Sequence, residues 1–78
     1  YPNPASAISC IPVESNINTE IRISLHDMIG KEVHQIFEGE IEKGKKNFFV
    51  NAAQFAKGIY FIKLQSKNDT KIQKLIIK

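Results

Sequence analysis

Residues 20–26 read EIRISLH, and this stretch decides the fold class. Ile21, Ile23 and Leu25 alternate with Glu20, Arg22, Ser24 and His26. Successive side chains of a strand point to opposite faces, so the pattern describes a strand with one face in a core and one in water. Asp27-Met28-Ile29-Gly30 then reads as a turn in which Gly30 supplies a positive φ. Residues 31–38 form the return strand, built on Val33, Ile36 and Phe37, and the break in alternation between Val33 and Ile36 predicts a bulge.

Toward the N-terminus, residues 14–19 are polar, carry two asparagines and read as a loop. Residues 6–13 (SAISCIPV) give a strand with Ile8, Cys10 and Pro12 on one face and Ile11 and Val13 less regular. Pro12 has no amide to donate, which places that strand at an edge or a bulge. Tyr1-Pro2-Asn3-Pro4 is stiff and extended, because a residue before proline is pushed out of the α region.

Toward the C-terminus, residues 39–46 are charged, hold Gly39 and Gly44, and read as an exposed connection. Residues 47–51 (NFFVN) are a short strand. Residues 52–57 (AAQFAK) are too few for a stable helix and predict a single turn crossing between sheets, with Phe55 tucked inward. Gly58 opens the strand GIYFIKLQS, where Tyr60, Ile62 and Leu64 share a face. Residues 67–70 are a hairpin turn, and residues 71–78 (KIQKLIIK) the terminal strand. Turn signals every 8–12 residues, with no helix long enough for a parallel crossover, predict an all-β fold. The expected architecture is a small antiparallel Ig-like β-sandwich of six to seven strands.

The chain has 78 residues, 42% hydrophobic and 24% charged, which suits one folded domain over residues 1–78. A domain this small buries only roughly 60–65% of the surface of its unfolded chain, so its core is thin. Cys10 stands alone and no intrachain disulfide is available. The first residue is Tyr1 rather than methionine, which reads as a fragment or a processed product. No apolar run approaches the ~20 residues of a membrane span, and any signal peptide of the parent would lie upstream.

The net charge of +3 conceals an asymmetry. Residues 1–42 set Arg22 and Lys31 against seven carboxylates, a net of −5, whereas residues 43–78 set nine lysines against Asp69 alone, a net of +8. Either the two halves attract each other across the fold, or the basic half faces an acidic receptor. Nucleic acid is disfavoured, since arginine is nearly absent and no aromatic platform interleaves the lysines.

Reactive chemistry is poorly supported. His26 and His34 flank the turn, but no third ligand stands at motif spacing, and both are expected on the solvent face. The serines lack a Gly-x-Ser-x-Gly elbow, Cys10 sits in an apolar strand, and no glycine loop is spaced for phosphate. Asn68-Asp69-Thr70 is a formal glycosylation sequon better read as turn chemistry. The expectation is a protein without catalytic residues, cofactor or metal.

Four features occur in order: Tyr1-Pro2-Asn3-Pro4-Ala5, the Asp27-x-x-Gly30-Lys31 turn, the Gly58-Ile59-Tyr60-Phe61-Ile62 strand, and the final Lys74-Leu75-Ile76-Ile77-Lys78. Together, over the whole chain, they resemble the type A C-terminal sorting domain of the type IX (Por) secretion system of Bacteroidota. Met28-Ile29 departs from the more polar turn residues common in that family. The resemblance implies a secretion signal carried behind an upstream cargo domain and read after folding in the periplasm. It also implies passage through the outer-membrane translocon, then cutting by a sortase-like component that attaches the cargo to the cell surface. Because the family's last strand is needed for export, it points to residues 71–78.

Within this frame Pro2 and Pro4 are either a recognition epitope or a rigid junction. Tyr60 reads as a core aromatic whose hydroxyl reaches a backbone group in the manner of a tyrosine corner. In residues 71–78, Ile72 and Ile76 share a face with Lys74, while Gln73, Leu75 and Ile77 take the other. Such a strand is either covered on one side and open to a partner on the other, or central with Lys74 snorkelling outward. Lys71, Lys74 and Lys78 are the candidate recognition cations. The competing function is an accessory binding or adhesion sandwich of a secreted hydrolase. The absence of Trp and the separation of Tyr1 from Tyr60 weigh against a carbohydrate platform.

Overall fold

The computed structural model describes residues 8–78, so residues 1–7, with Pro2 and Pro4 among them, lie outside the described residues. Six strands follow in order: β1 Ile8–Ser15, β2 Thr19–His26, β3 Glu32–Ile41, β4 Gly44–Asn51, β5 Gly58–Ser66 and β6 Thr70–Ile77. They form two antiparallel sheets, one of β1-β4 and one in the order β3-β2-β5-β6. The inner faces of the two sheets enclose the core, giving a small all-β sandwich.

The alternation in EIRISLH does what it predicts. Ile21, Ile23 and Leu25 face the core, and Ile23 and Leu25 are completely inaccessible to solvent. Full burial of such a side chain contributes roughly 1.5–3 kcal/mol, so β2 is the energetic centre of a core of eleven apolar side chains among the described residues. Ser24, expected in water, is also fully buried. It lies on a central strand with Gln35 and Lys63 as register neighbours, and its hydroxyl is satisfied by the His26 Nε2 at 2.9 Å.

Three sequence expectations are corrected. In β1 Ile8, Cys10 and Pro12 share a face as expected, but it is the exposed one, and Ile11 and Val13, read as irregular, form a regular buried face. Among the described residues the strand pairs only with β4 in a two-stranded sheet, and its other edge accommodates the missing amide of Pro12. In β3 the bulge expected between Val33 and Ile36 is present, as register shifts to β2 opposite Ile23/Ser24 and opposite Leu25/His26, but the role given to Val33 is not. Ile36 and Val33 are the extra residues, and Val33 therefore faces solvent instead of supporting the strand.

The third correction concerns residues 39–46. They are not a loop: β3 runs to Ile41 and β4 begins at Gly44, leaving only Glu42 and Lys43 between them. Gly39 makes this continuation possible. It holds φ +156, pairs with Ile21, and lets the Phe37 ring lie so close that a Cβ there would stand 3.3 Å from its Cζ. The strand then delivers Ile41 to the core. Asn18 clamps the tight connection by accepting from the Lys43 amide at 2.7 Å.

Between the sheets the chain crosses through a single 3₁₀ turn, Ala52–Gln54, capped by the Asn51 side chain. Phe55 follows, half-buried, with its ring 6.2 Å from that of Tyr60.

Candidate recognition surface

The Asp27-x-x-Gly30-Lys31 motif is a self-contained hairpin device. Asp27 Oδ1 accepts from the amides of Ile29 (3.0 Å) and Lys31 (2.9 Å). Its backbone carbonyl accepts from Gly30 N, and its own amide donates to the Lys31 carbonyl. Gly30 takes φ +89, a region that side-chain-bearing residues rarely adopt. Two of these bonds use residue 31, and only through its backbone amide and carbonyl, so the geometry requires Asp27 and Gly30 and leaves the Lys31 side chain exposed.

Gly58 and Tyr60 organise the start of β5. Gly58 is paired with Ile77 of β6. Tyr60 is buried, and its hydroxyl donates to the Ala56 carbonyl at 2.7 Å, tying the crossing segment to the strand that follows it. Both residues therefore position the end of β6.

The terminal lysines lie along one margin of the molecule. Among the described residues β6 is an edge strand paired only with β5, which overturns the picture of a central strand covered on both faces. Leu75 and Ile77 turn toward the core, while Ile72, Lys74 and Ile76 turn outward. Lys71, Lys74 and Lys78 are exposed. Among the described residues the one ion pair joins Arg22 to Glu32 at 2.6 Å, both within the acidic half, so it does not link that half to the basic one. The bond to Arg22 holds the Glu32 carboxyl below the ordinary carboxylate range, and the same bond holds the guanidinium above its own.

An apolar surface adjoins these lysines that sequence reasoning missed. Met28 and Ile29 at the hairpin tip, Phe61 of β5 and Ile72 of β6 border a shallow depression of about 500 Å³ on the outer face of the four-stranded sheet, with Lys63 at its rim. Met28 and Ile29 are 67% and 87% exposed. The only advance signal was the pair of apolar residues in a turn, and pairing across strands decides that they lie beside Ile72.

The remaining candidate residues do not converge. Register sets His34 beside Leu25 and His26 beside Glu32, so the imidazoles take opposite faces instead of approaching each other. His34 lies against Phe55 with ring centroids 5.5 Å apart, and His26 is half-buried with its Nδ1 3.2 Å from the Gly30 carbonyl. Among the described residues no three His, Cys, Asp or Glu side chains gather as a metal site. No helix among them is long and apolar enough to cross a membrane.

Comparison with known proteins gives one finding. The family model described as secretion system C-terminal sorting domain matches residues 1–78, the whole chain. No curated protein and no solved structure matches significantly.

Proposed function

The chain belongs to the family of secretion system C-terminal sorting domains, the tails that address proteins to type IX secretion, and from that premise we propose how it is read. The family is not one of enzymes, and its members mark a protein for the cell surface or for secretion. We assign this chain no catalytic role. It folds behind an upstream cargo domain, passes through the periplasm, and engages the outer-membrane translocon. A sortase-like component then cuts between cargo and tail. Lys71, Lys74 and Lys78 present the charge that the export machinery reads, and Pro2 and Pro4 form the junction presented for processing.

The observation that carries this reading is the family match over the full chain. The exposed lysines along β6 support it, since an unpaired cationic margin attracts an acidic receptor and speeds its encounter. The test is a reporter fused upstream of residues 1–78, behind a signal peptide, in a type IX-competent bacterium. The reporter is expected at the surface or in the medium. An intact, folded fusion held in the periplasm of that strain would refute the reading. Lys74→Glu with Lys78→Glu is expected to abolish export while leaving the circular dichroism spectrum unchanged. A folded double variant exported at the normal rate would remove the lysines from the mechanism.

A further inference from the structure

The two margins of the four-stranded sheet differ in their readiness to accept another chain. β3 is distorted at Val33 and Ile36, and bulges of this kind keep an edge from templating a new strand. β6 has no such interruption: its ladder to β5 runs in unbroken register from Gly58–Ile77 to Gln65–Thr70. In a strand with one neighbour, alternate residues turn their amide and carbonyl groups away from the ladder toward solvent. β6 therefore offers a regular row of backbone donors and acceptors.

Its side chains indicate what that row accepts. Ile72 and Ile76 are 65% and 56% exposed on the outward face, next to Lys63 and Ile59 of β5 in register. A flat edge with exposed isoleucines invites indiscriminate pairing unless charge selects the partner. Lys71, Lys74 and Lys78 supply that charge, and no described carboxylate lies within ion-pair distance of them. They also disfavour a second copy. The antiparallel register that sets Ile72 against Ile76 of a copy puts Lys74 directly opposite Lys74, and like charges in that position are destabilising.

We propose that β6 is a strand-addition site for an extended peptide whose residues on one face, every second position, are apolar and acidic in turn. The incoming backbone completes the row of hydrogen bonds, and on the outward face its apolar residues cover Ile72 and Ile76 while its carboxylates meet Lys74 and, beyond the strand end, Lys78. The site rests on the sorting-domain reading only for the source of the strand, which would then be a component of the export machinery.

The probe is an end-capped nonapeptide with threonine at even positions and valine and glutamate in turn at odd ones (Val-Thr-Glu-Thr-Val-Thr-Glu-Thr-Val), added to the 78-residue chain and followed by amide hydrogen exchange and titration. Binding is expected to slow exchange at about half of the β6 amides, those not bonded to β5, and to leave β3 unchanged. N-methylation of alternate peptide residues should abolish binding. Exchanging the glutamates for lysines should also abolish it, and Lys74→Glu with Lys78→Glu should weaken it tenfold or more. Absence of binding, protection of β3 instead of β6, or equal binding of the N-methylated peptide would overturn the proposal. So would a dimer protected along β6 without peptide, which would assign the edge to a second copy. The reporter assay separates the two readings. A chain that exports its reporter but ignores the peptide removes the strand-addition site alone, and one that binds the peptide without exporting removes the sorting role alone.

Discussion

β2 and β6 lie on either side of β5, and both are eight-residue strands rich in isoleucine and leucine. β2 has neighbours on both sides and buries Ile21, Ile23, Leu25 and even Ser24. β6 has one neighbour, and of its apolar residues only Ile77 is fully in the core, with Leu75 packed against it. The difference is one of position in the sheet more than of composition. Two strands away from each other, similar side chains serve stability in one case and remain available to a partner in the other.

Truncation at the centre is the most severe way to test that division. Ile23→Ala is expected to cost about 2–5 kcal/mol, since it removes a side chain with no solvent contact and leaves a cavity. In a domain with so thin a core this approaches the whole folding free energy. Chemical denaturation measures it, and a fully folded Ile23→Ala protein would mean that β2 is not the centre of the core. A smaller loss, about 1–3 kcal/mol, is expected for Gly39→Val beside β2. There the backbone sits at φ +156 and the new Cβ would press on Phe37 at 3.3 Å.

The same contrast explains what could be read in advance. EIRISLH is legible because a central strand needs strict alternation, and Tyr60, Ile62 and Leu64 are legible for the same reason. β1 misled because Ile8, Cys10, Ile11 and Val13 are all apolar, so its sequence contains two competing faces and only the packing against β5 and β6 chooses. Residues 39–46 misled because glycines and charges usually mark a loop. Here Gly39 is needed for a close approach within a strand, and the exposed charges belong to an edge. The hairpin motif was legible as a turn, but its meeting with Ile72 depends on three adjacent strands and leaves no trace in any local pattern.

At the margin, Ile72→Ser should change stability by no more than about 0.5 kcal/mol, because the side chain is 65% exposed and little burial is lost. Thermal melting of Ile72→Ser beside Ile23→Ala states the comparison directly. A loss at Ile72 as large as that at Ile23 would show that β6 is covered within the molecule, and both the recognition margin and strand addition would lose their basis.

The smallest expected effect separates the paired cation of β2 from the unpaired cations of β6. Arg22 bonds Glu32 on the outer side of the sheet, and this bond lowers the carboxyl's pKa from its ordinary 4.5. A group whose pKa is depressed by folding stabilises the native state above its unfolded pKa, and loses that contribution as pH falls through the folded one. The contribution of Glu32 is therefore present at neutral pH, begins to fall as pH drops through the ordinary 4.5, and is gone once pH lies below the depressed folded pKa. Both side chains are open to water, so screening keeps the effect slight and added salt reduces it further. Glu32→Gln should flatten the acid limb of the stability curve by a small amount at low salt, with no difference at high salt. Lys74→Gln should leave that limb unchanged, since Lys74 has no described carboxylate within ion-pair distance. An equal response to the two substitutions would show that β6 is already neutralised within the chain, and a margin neutralised in that way would have no charge left to offer a receptor.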